Sequence, residues 1–223
     1  MFQAKKNKSD LSLFLHNQKL LIGFIVMLAC LFLEIAFPAQ NSAQLITKNV
    51  FFLIILPGIY IKIFFEKNIS DFGFNLKENK IAMIWGSGLG LLLLATFFML
   101  IRYSGFRAGY GLSTAASSNF WFFLFYEVII VNFTVFINEV FFRGFLFFLL
   151  EKEINYRAIF VQAMVYFLTL LFIGAFSWQT VPFILFAITG GILAYKTKSF
   201  LYSYFLHIFV IIILDSYIIY LAR

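Results

Sequence analysis

Long apolar runs broken by short polar, mostly basic segments set the pattern of this chain. The runs are Leu20 to Phe37, Val50 to Phe65, Ile81 to Ile101, Phe120 to Leu150, Arg157 to Phe176, Val181 to Tyr195 and Phe200 to Leu221. Most approach or exceed the ~20 residues that cross a bilayer as a helix. The pattern predicts an all-α polytopic transmembrane helix bundle of about seven spans, with no internal repeat. It divides into a basic tail over 1–19, two leading transmembrane helices over 20–65 and a larger membrane domain over 66–223. In the tail, Leu11, Phe14 and Leu15 have the spacing of an amphipathic turn. Phe120 to Leu150 exceeds one upright span of ~30 Å, so it is expected to tilt steeply or to break near Asn132 or Asn138. Pro57-Gly58 predicts a bend in the second span, and Gly86, Gly88 and Gly90 permit close helix approach in the third. Glu66 to Lys80 and Arg102 to Asn119 read as loops, the first with an interfacial turn. Small residues at Ala39 and Ala43 would suit a cleaved signal peptide, but the long polar lead and the later spans favour a retained helix.

Composition sharpens this picture. Hydrophobic residues make up 63% of the chain and charged residues 12%, against about 25% charged in a soluble domain. The net charge of +7 does not point to nucleic acid, because the basic residues sit mainly between spans. With the N-terminus inside, the inner segments carry Lys5, Lys6, Lys8, Lys19, Lys67, Lys77, Lys80, Lys152, Arg157, Lys196 and Lys198. The outer ones carry Lys48, Arg102, Arg107 and Arg223. This bias predicts a cytoplasmic N-terminus and an external C-terminus. The single cysteine, Cys30, rules out an intramolecular disulfide. Membrane lipids are the expected surroundings.

Few groups in the spans can do chemistry, and the densest stretch is Asn138-Glu139-Val140-Phe141-Phe142-Arg143-Gly144. An ionisable group there costs roughly 2.5–3.5 kcal/mol on insertion scales. Glu139 and Arg143 stand one helical turn apart, acid before base, which is the favourable order. A structural ion pair accounts for them; so does a reactive site. His207 is the one histidine within a span, and its simplest role is an interhelical hydrogen bond. Glu139 as a general base and His207 as an oxyanion donor would suit a hydrolase. A divalent metal is poorly supported: Glu139 and His207 are its only candidate ligands, where a catalytic zinc takes three. Gly111-Leu112-Ser113 resembles the serine turn of rhomboid proteases but falls in a polar loop, and the Gly-x-Gly-Asp element of aspartyl intramembrane proteases is absent.

Asn138-Glu139-x-x-x-Arg143-Gly144 resembles the Glu-Glu-x-x-x-Arg motif of the CPBP family, the type II CAAX-processing and bacteriocin-processing membrane proteases also called Abi. Asp71-Phe72-Gly73-Phe74 with Lys80 is similar to the family's Leu-Gly element. Gly190 to Tyr195 with Lys198-Ser199-Phe200 is similar to its penultimate-helix ending, and Ser203 to His207 to the approach to its third motif. The resemblance spans roughly residues 65–215. It implies a bundle of about seven or eight helices and endoproteolysis of a prenylated or membrane-associated peptide at the cytoplasmic side. Glutamate, histidine and asparagine would carry the reaction, with metal use unsettled.

Three positions depart from that pattern. Asn138 replaces the first glutamate, and a carboxamide accepts no proton at neutral pH. The histidine of the second motif falls on Leu171, or on Leu170 with a one-residue shift, and Ile211 follows His207 where asparagine or aspartate is expected. Asp215, two turns after His207, is the available substitute. The expected site is therefore Glu139, Arg143, His207 and Asn138, with Asp215 in reserve. Two other functions compete: a non-cutting pseudoprotease that binds a membrane peptide or protein, and a transporter, suggested by Glu34, Glu127, Glu139 and Asp215 on different helices.

Overall fold

The computed structural model describes residues 2–65, 68–76, 80–106, 110, 114–177 and 179–222, without the side chains of 2–17, 69, 114, 181–182 and 222. The rhomboid-like turn at Ser113, the side chains of Lys5, Lys6 and Lys8, the tail's amphipathic turn, and Lys67, Lys77, Arg107 and Arg223 lie outside the described residues or side chains. Among those described there is no strand. The chain forms two compact units, Met1–Lys67 and Asn68–Arg223.

The first unit holds α1, Phe2–Ala36, and α2, Ser42–Phe64. The tail is thus helical and continuous with the first span. Asn41 caps α2 by accepting from the Gln44 N–H at 2.9 Å. Lys48 ties the two helices, pairing with Glu34 at 3.2 Å and donating to its backbone carbonyl at 2.8 Å. The irregularity expected at Pro57 takes the form of a π-helical turn, Phe51–Ile55, just before the proline. The wider turn accommodates the missing N–H and the bulk of the ring.

The second unit begins with a 3₁₀ turn, Ile69–Phe72. Then come α3, Lys80–Tyr103, a short α4, Thr114–Ser118, and α5, Phe120–Ile154. The bundle closes with α6, Arg157–Phe172, α7, Val181–Thr197, and α8, Phe200–Ala222. Helix α7 packs against α3, α6 and α8, and α8 also packs against α3 and α5. Among the described residues, five helices are long and apolar enough to cross a membrane: Gln18–Ala36 of α1, α2, α3, α5 and Phe200–Leu221 of α8. Helices α6 and α7, at 16 and 17 residues, are shorter, about 24–26 Å at 1.5 Å per residue. The count of about seven spans is therefore not reached by length. Apolar sequence runs on to Phe176, but the chain turns out of α6 at Gly174, whose φ is 65°.

Helix α5 neither breaks at Asn132 nor at Asn138. Its 35 residues stay helical but widen into π-helical turns at Tyr126–Val131 and Val140–Leu146. From Val140 to Leu150 every residue is buried, so this half of α5 is the core of the unit.

The expected interfacial turn is present and is fastened to the α7–α8 connection. Asn68 N–H donates to Asp71 at 3.2 Å, and buried Phe72 packs edge-on to Phe145. Ser199 Oγ lies 2.6 Å from the Asn75 carbonyl and 3.0 Å from that of Gly73. Gly73 has φ 82°, and a Cβ there would run into the Phe148 ring and reach 3.0 Å from the Phe200 backbone nitrogen. Gly73→Ala should therefore cost at least about 1–2 kcal/mol from the left-handed backbone alone, with the collision added. A thermal melt of the detergent-purified protein checks this; an unchanged midpoint contradicts it.

Candidate functional site

The site is assembled around Glu139, fully buried at 0% exposure. It closes the α-helical stretch Asn132–Glu139, and Arg143 follows in the π-helical turn. Such widened turns recur at functional sites because they re-aim side chains within a continuous helix. Arg143 Nη1 lies 3.2 Å from Glu139 Oε1. Across the bundle, Ser203 and His207 stand one turn apart on α8 and both reach the same carboxyl. Ser203 Oγ donates to Oε2 at 2.7 Å, and His207 Nδ1 lies 2.9 Å from Oε1. Because Oε1 also faces the guanidinium, it acts as an acceptor. Nδ1 then carries the proton, which leaves Nε2 as the other ring position.

Helix α7 supplies the third wall. Arg143 Nη2 donates to the Phe186 carbonyl at 3.0 Å, while the Phe186 ring stacks on His207 with centroids 4.1 Å apart. Gly190 makes the room: a Cβ there would collide with Ser203 Oγ and sit 3.1 Å from Arg143 Nε. Next to it, a Cβ on Gly191 would come within 2.8 Å of Gln162 Nε2, which donates to the Ala187 carbonyl at 2.6 Å. The glycine pair makes room for three buried polar side chains, Arg143 from α5, Gln162 from α6 and Ser203 from α8.

Of the expected residues, Glu139, Arg143 and His207 come together. Asn138 does not join them; its amide donates at 2.9 Å to the Thr134 carbonyl of its own helix. Asp215 does not either. It lies about 12 Å farther along α8 at 1.5 Å per residue and accepts from the Tyr110 hydroxyl at 2.5 Å. Nearby Glu127 is buried with its carboxyl against that of Asp215. Burial first, and then the Asp215 charge, push the Tyr110 phenol up, so it stays a proton donor. At the second-motif positions, Leu171 is exposed and Leu170 is buried. Ile211 packs in the apolar core with Leu93, Phe97 and Val135. Ser203 and Phe186 belong to the site without having been expected there. Ser203 had one signal, its position four residues before His207 on the same helical face; the Phe186 carbonyl had none.

The residues present do not fit a divalent metal. Glu139 and His207 would be two ligands, but the guanidinium already occupies the oxygen they share. Among the described residues no group of three or more His, Cys, Asp and Glu gathers. As it stands, the arrangement holds a carboxylate rigidly and leaves one imidazole nitrogen uncommitted.

Removing the charge from Glu139 tests its structural weight. Glu139→Gln leaves Arg143 buried without its counter-ion, a loss of about 3–5 kcal/mol. A sharply reduced monodisperse yield on size exclusion is expected. The double variant Glu139→Leu with Arg143→Met should recover most of that yield, since no bare charge remains.

Residues 116–213 match the family model "Type II CAAX prenyl endopeptidase Rce1-like". The matched stretch takes in Glu139, Arg143, His207 and the three departing positions, and stops short of Asp215. The chain matches no curated protein and no solved structure. Over residues 116–213 it is similar to the Rce1-like type II CAAX prenyl endopeptidases of the CPBP family, the one that Asn138 to Gly144 resembles.

Proposed function

We propose that this CAAX-protease-like membrane protein binds a membrane-associated peptide or protein without cutting it, and that the Glu139 centre now serves as a structural clamp. One observation carries the reading: Glu139 is sealed, with Arg143 and His207 on one oxygen and Ser203 on the other. A general base needs a free lone pair towards water. The neighbouring positions do not replace it, since Asn138 is bonded within its own helix and Leu171 (or Leu170 with the one-residue shift) and Ile211 offer only hydrocarbon.

A second reading, endoproteolysis at the cytoplasmic side, is favoured by the 2.9 Å Glu139–His207 contact. An oriented carboxylate–imidazole pair is how many hydrolases set a histidine. Here Glu139 would hold the ring while Nε2 takes a proton from water. A membrane-anchored reporter carrying a prenylated C-terminal tail separates the two. Under the first reading, membranes with the wild-type chain cleave it no faster than membranes with His207→Ala. Cleavage by the wild type that His207→Ala abolishes would establish the second.

We infer further that the N-terminus is cytoplasmic and the C-terminus external, because Lys80, Lys152, Arg157, Lys196 and Lys198 gather on connections at one side of the sequence's alternation. In a Cys30→Ala background, a cysteine at Ser9 should react with an impermeant maleimide only after the cells are opened. A cysteine at Ala222 should react in intact cells. The reverse pattern overturns the orientation.

A further inference from the structure

At the end of α8 away from Ser199 lies a second buried polar group, one that the Glu139 centre does not use. Glu127 of α5 and Asp215 of α8 are 2% and 4% exposed, and their carboxyls stand against each other. Glu127 sits in the π-helical turn Tyr126–Val131 with its side chain inside the bundle. Leu214, beside Asp215 on α8, and Ile218 belong to the apolar core with Phe106 and Val135. The pair is thus set in hydrocarbon.

The hydrogen bonds say which carboxyl is charged. Asp215 Oδ1 accepts from the Tyr110 hydroxyl at 2.5 Å, as a carboxylate does. Among the described residues no N–H and no hydroxyl reaches either oxygen of Glu127. Nor does a described Lys, Arg or His pair with either side chain. The other titratable groups that face the two carboxyls are the phenols of Tyr110 and Tyr126, which bring no positive charge. Two carboxylates in contact in such surroundings cannot both stay ionised. One proton removes both difficulties. On Glu127 it cancels the second charge, and as an O–H donor it closes a strong bond to Asp215.

We propose that Glu127 holds this proton at neutral pH and that the shared proton is a latch, fastening α5 to α8 where Tyr110 is tied until alkali removes it. Hydroxide takes the proton from Glu127 and leaves as water; the two facing carboxylates then repel, and the helices part at that point. The inference rests on neither reading of the Glu139 centre. Its sign follows from proton counting. In the unfolded chain both carboxyls are ionised above about pH 5, so folding takes up one proton. Stability therefore falls as the pH rises, and levels off once the folded pair has lost the proton too.

Thermal melts of the full-length protein in detergent, from about pH 6 to about pH 9, read the proton. In Glu127→Gln an amide N–H replaces the shared proton and cannot be lost. Relative to that variant, the wild-type midpoint should fall by about 3–5 °C per pH unit until the pair gives the proton up. A gap between the two that stays constant with pH overturns the shared proton. If Glu127→Gln fails to fold, Glu127→Leu, which likewise has no proton to give, serves in the same comparison. The latch itself is read at Ala116, which is buried beside Ser216 of α8. In a Cys30→Ala background carrying Ala116→Cys, iodoacetamide at about pH 9 should label the chain with Glu127 at least about fivefold faster than the chain with Glu127→Gln. Both are labelled at one pH, so ionisation of the thiol cancels. Equal rates overturn the latch.

Discussion

A carboxylate with no access to water, deep in an apolar bundle, must be compensated by protein. Much of the second unit follows from that constraint on Glu139. Its own helix provides Arg143, and α8 provides Ser203 and His207. Arg143 in turn needs an acceptor beyond Glu139, which the Phe186 carbonyl of α7 supplies. The polar centre therefore specifies how α5, α7 and α8 sit on one another far more sharply than their interchangeable apolar faces could. Leucine and phenylalanine tolerate small shifts of packing; a buried ion pair does not, because a displaced partner leaves a bare charge. Gly190 belongs to the same constraint, since only a residue without a Cβ lets Arg143 and Ser203 meet there.

The satisfaction of Glu139 also bears on chemistry. Arg143 and His207 face one carboxylate oxygen and Ser203 the other, and the side chain has no exposure to solvent. A catalytic version of such a centre keeps a second acidic or imidazole group to share the task. Around Glu139 in this chain, Asn138 is turned to its own helix, Leu171 is exposed and Ile211 is buried among apolar side chains.

At the opposite end of α8, Asp215 fastens the loop residue Tyr110, and Glu127 is buried nearby. Helix α8 thus carries two polar anchors two turns apart, one to α5 and one to the loop after α3. The sequence had Asp215 as a stand-in within the first anchor. Helical rise makes that impossible: a side chain spans a few ångströms, and the two positions are about 12 Å apart along the axis. The turn at Asn68–Asn75 adds a further tie, through Ser199 and the edge-to-face contact of Phe74 with Phe200.

Hydrophobic runs determined the all-helical architecture and its membrane character, because burying or solvating so many apolar residues leaves the backbone no cheaper way to satisfy itself than a helix. Runs alone predicted about seven spans; among the described residues five helices have the length and apolarity to cross, and two apolar helices are shorter. The pair Glu139 and Arg143 was legible too, as neighbours one turn apart on one helix, and so was the family likeness they carry. Tertiary structure alone decided which distant residues meet that pair. Ser203 and His207 lie 64 and 68 residues from Glu139 in the chain, and the Phe186 carbonyl has no side-chain signature. A helical period orders residues around one axis; it says nothing about the rotation of the next helix. That rotation, set by glycines that admit close approach and by the demand of one buried charge, brought Ser203 and His207 onto Glu139 and buried it.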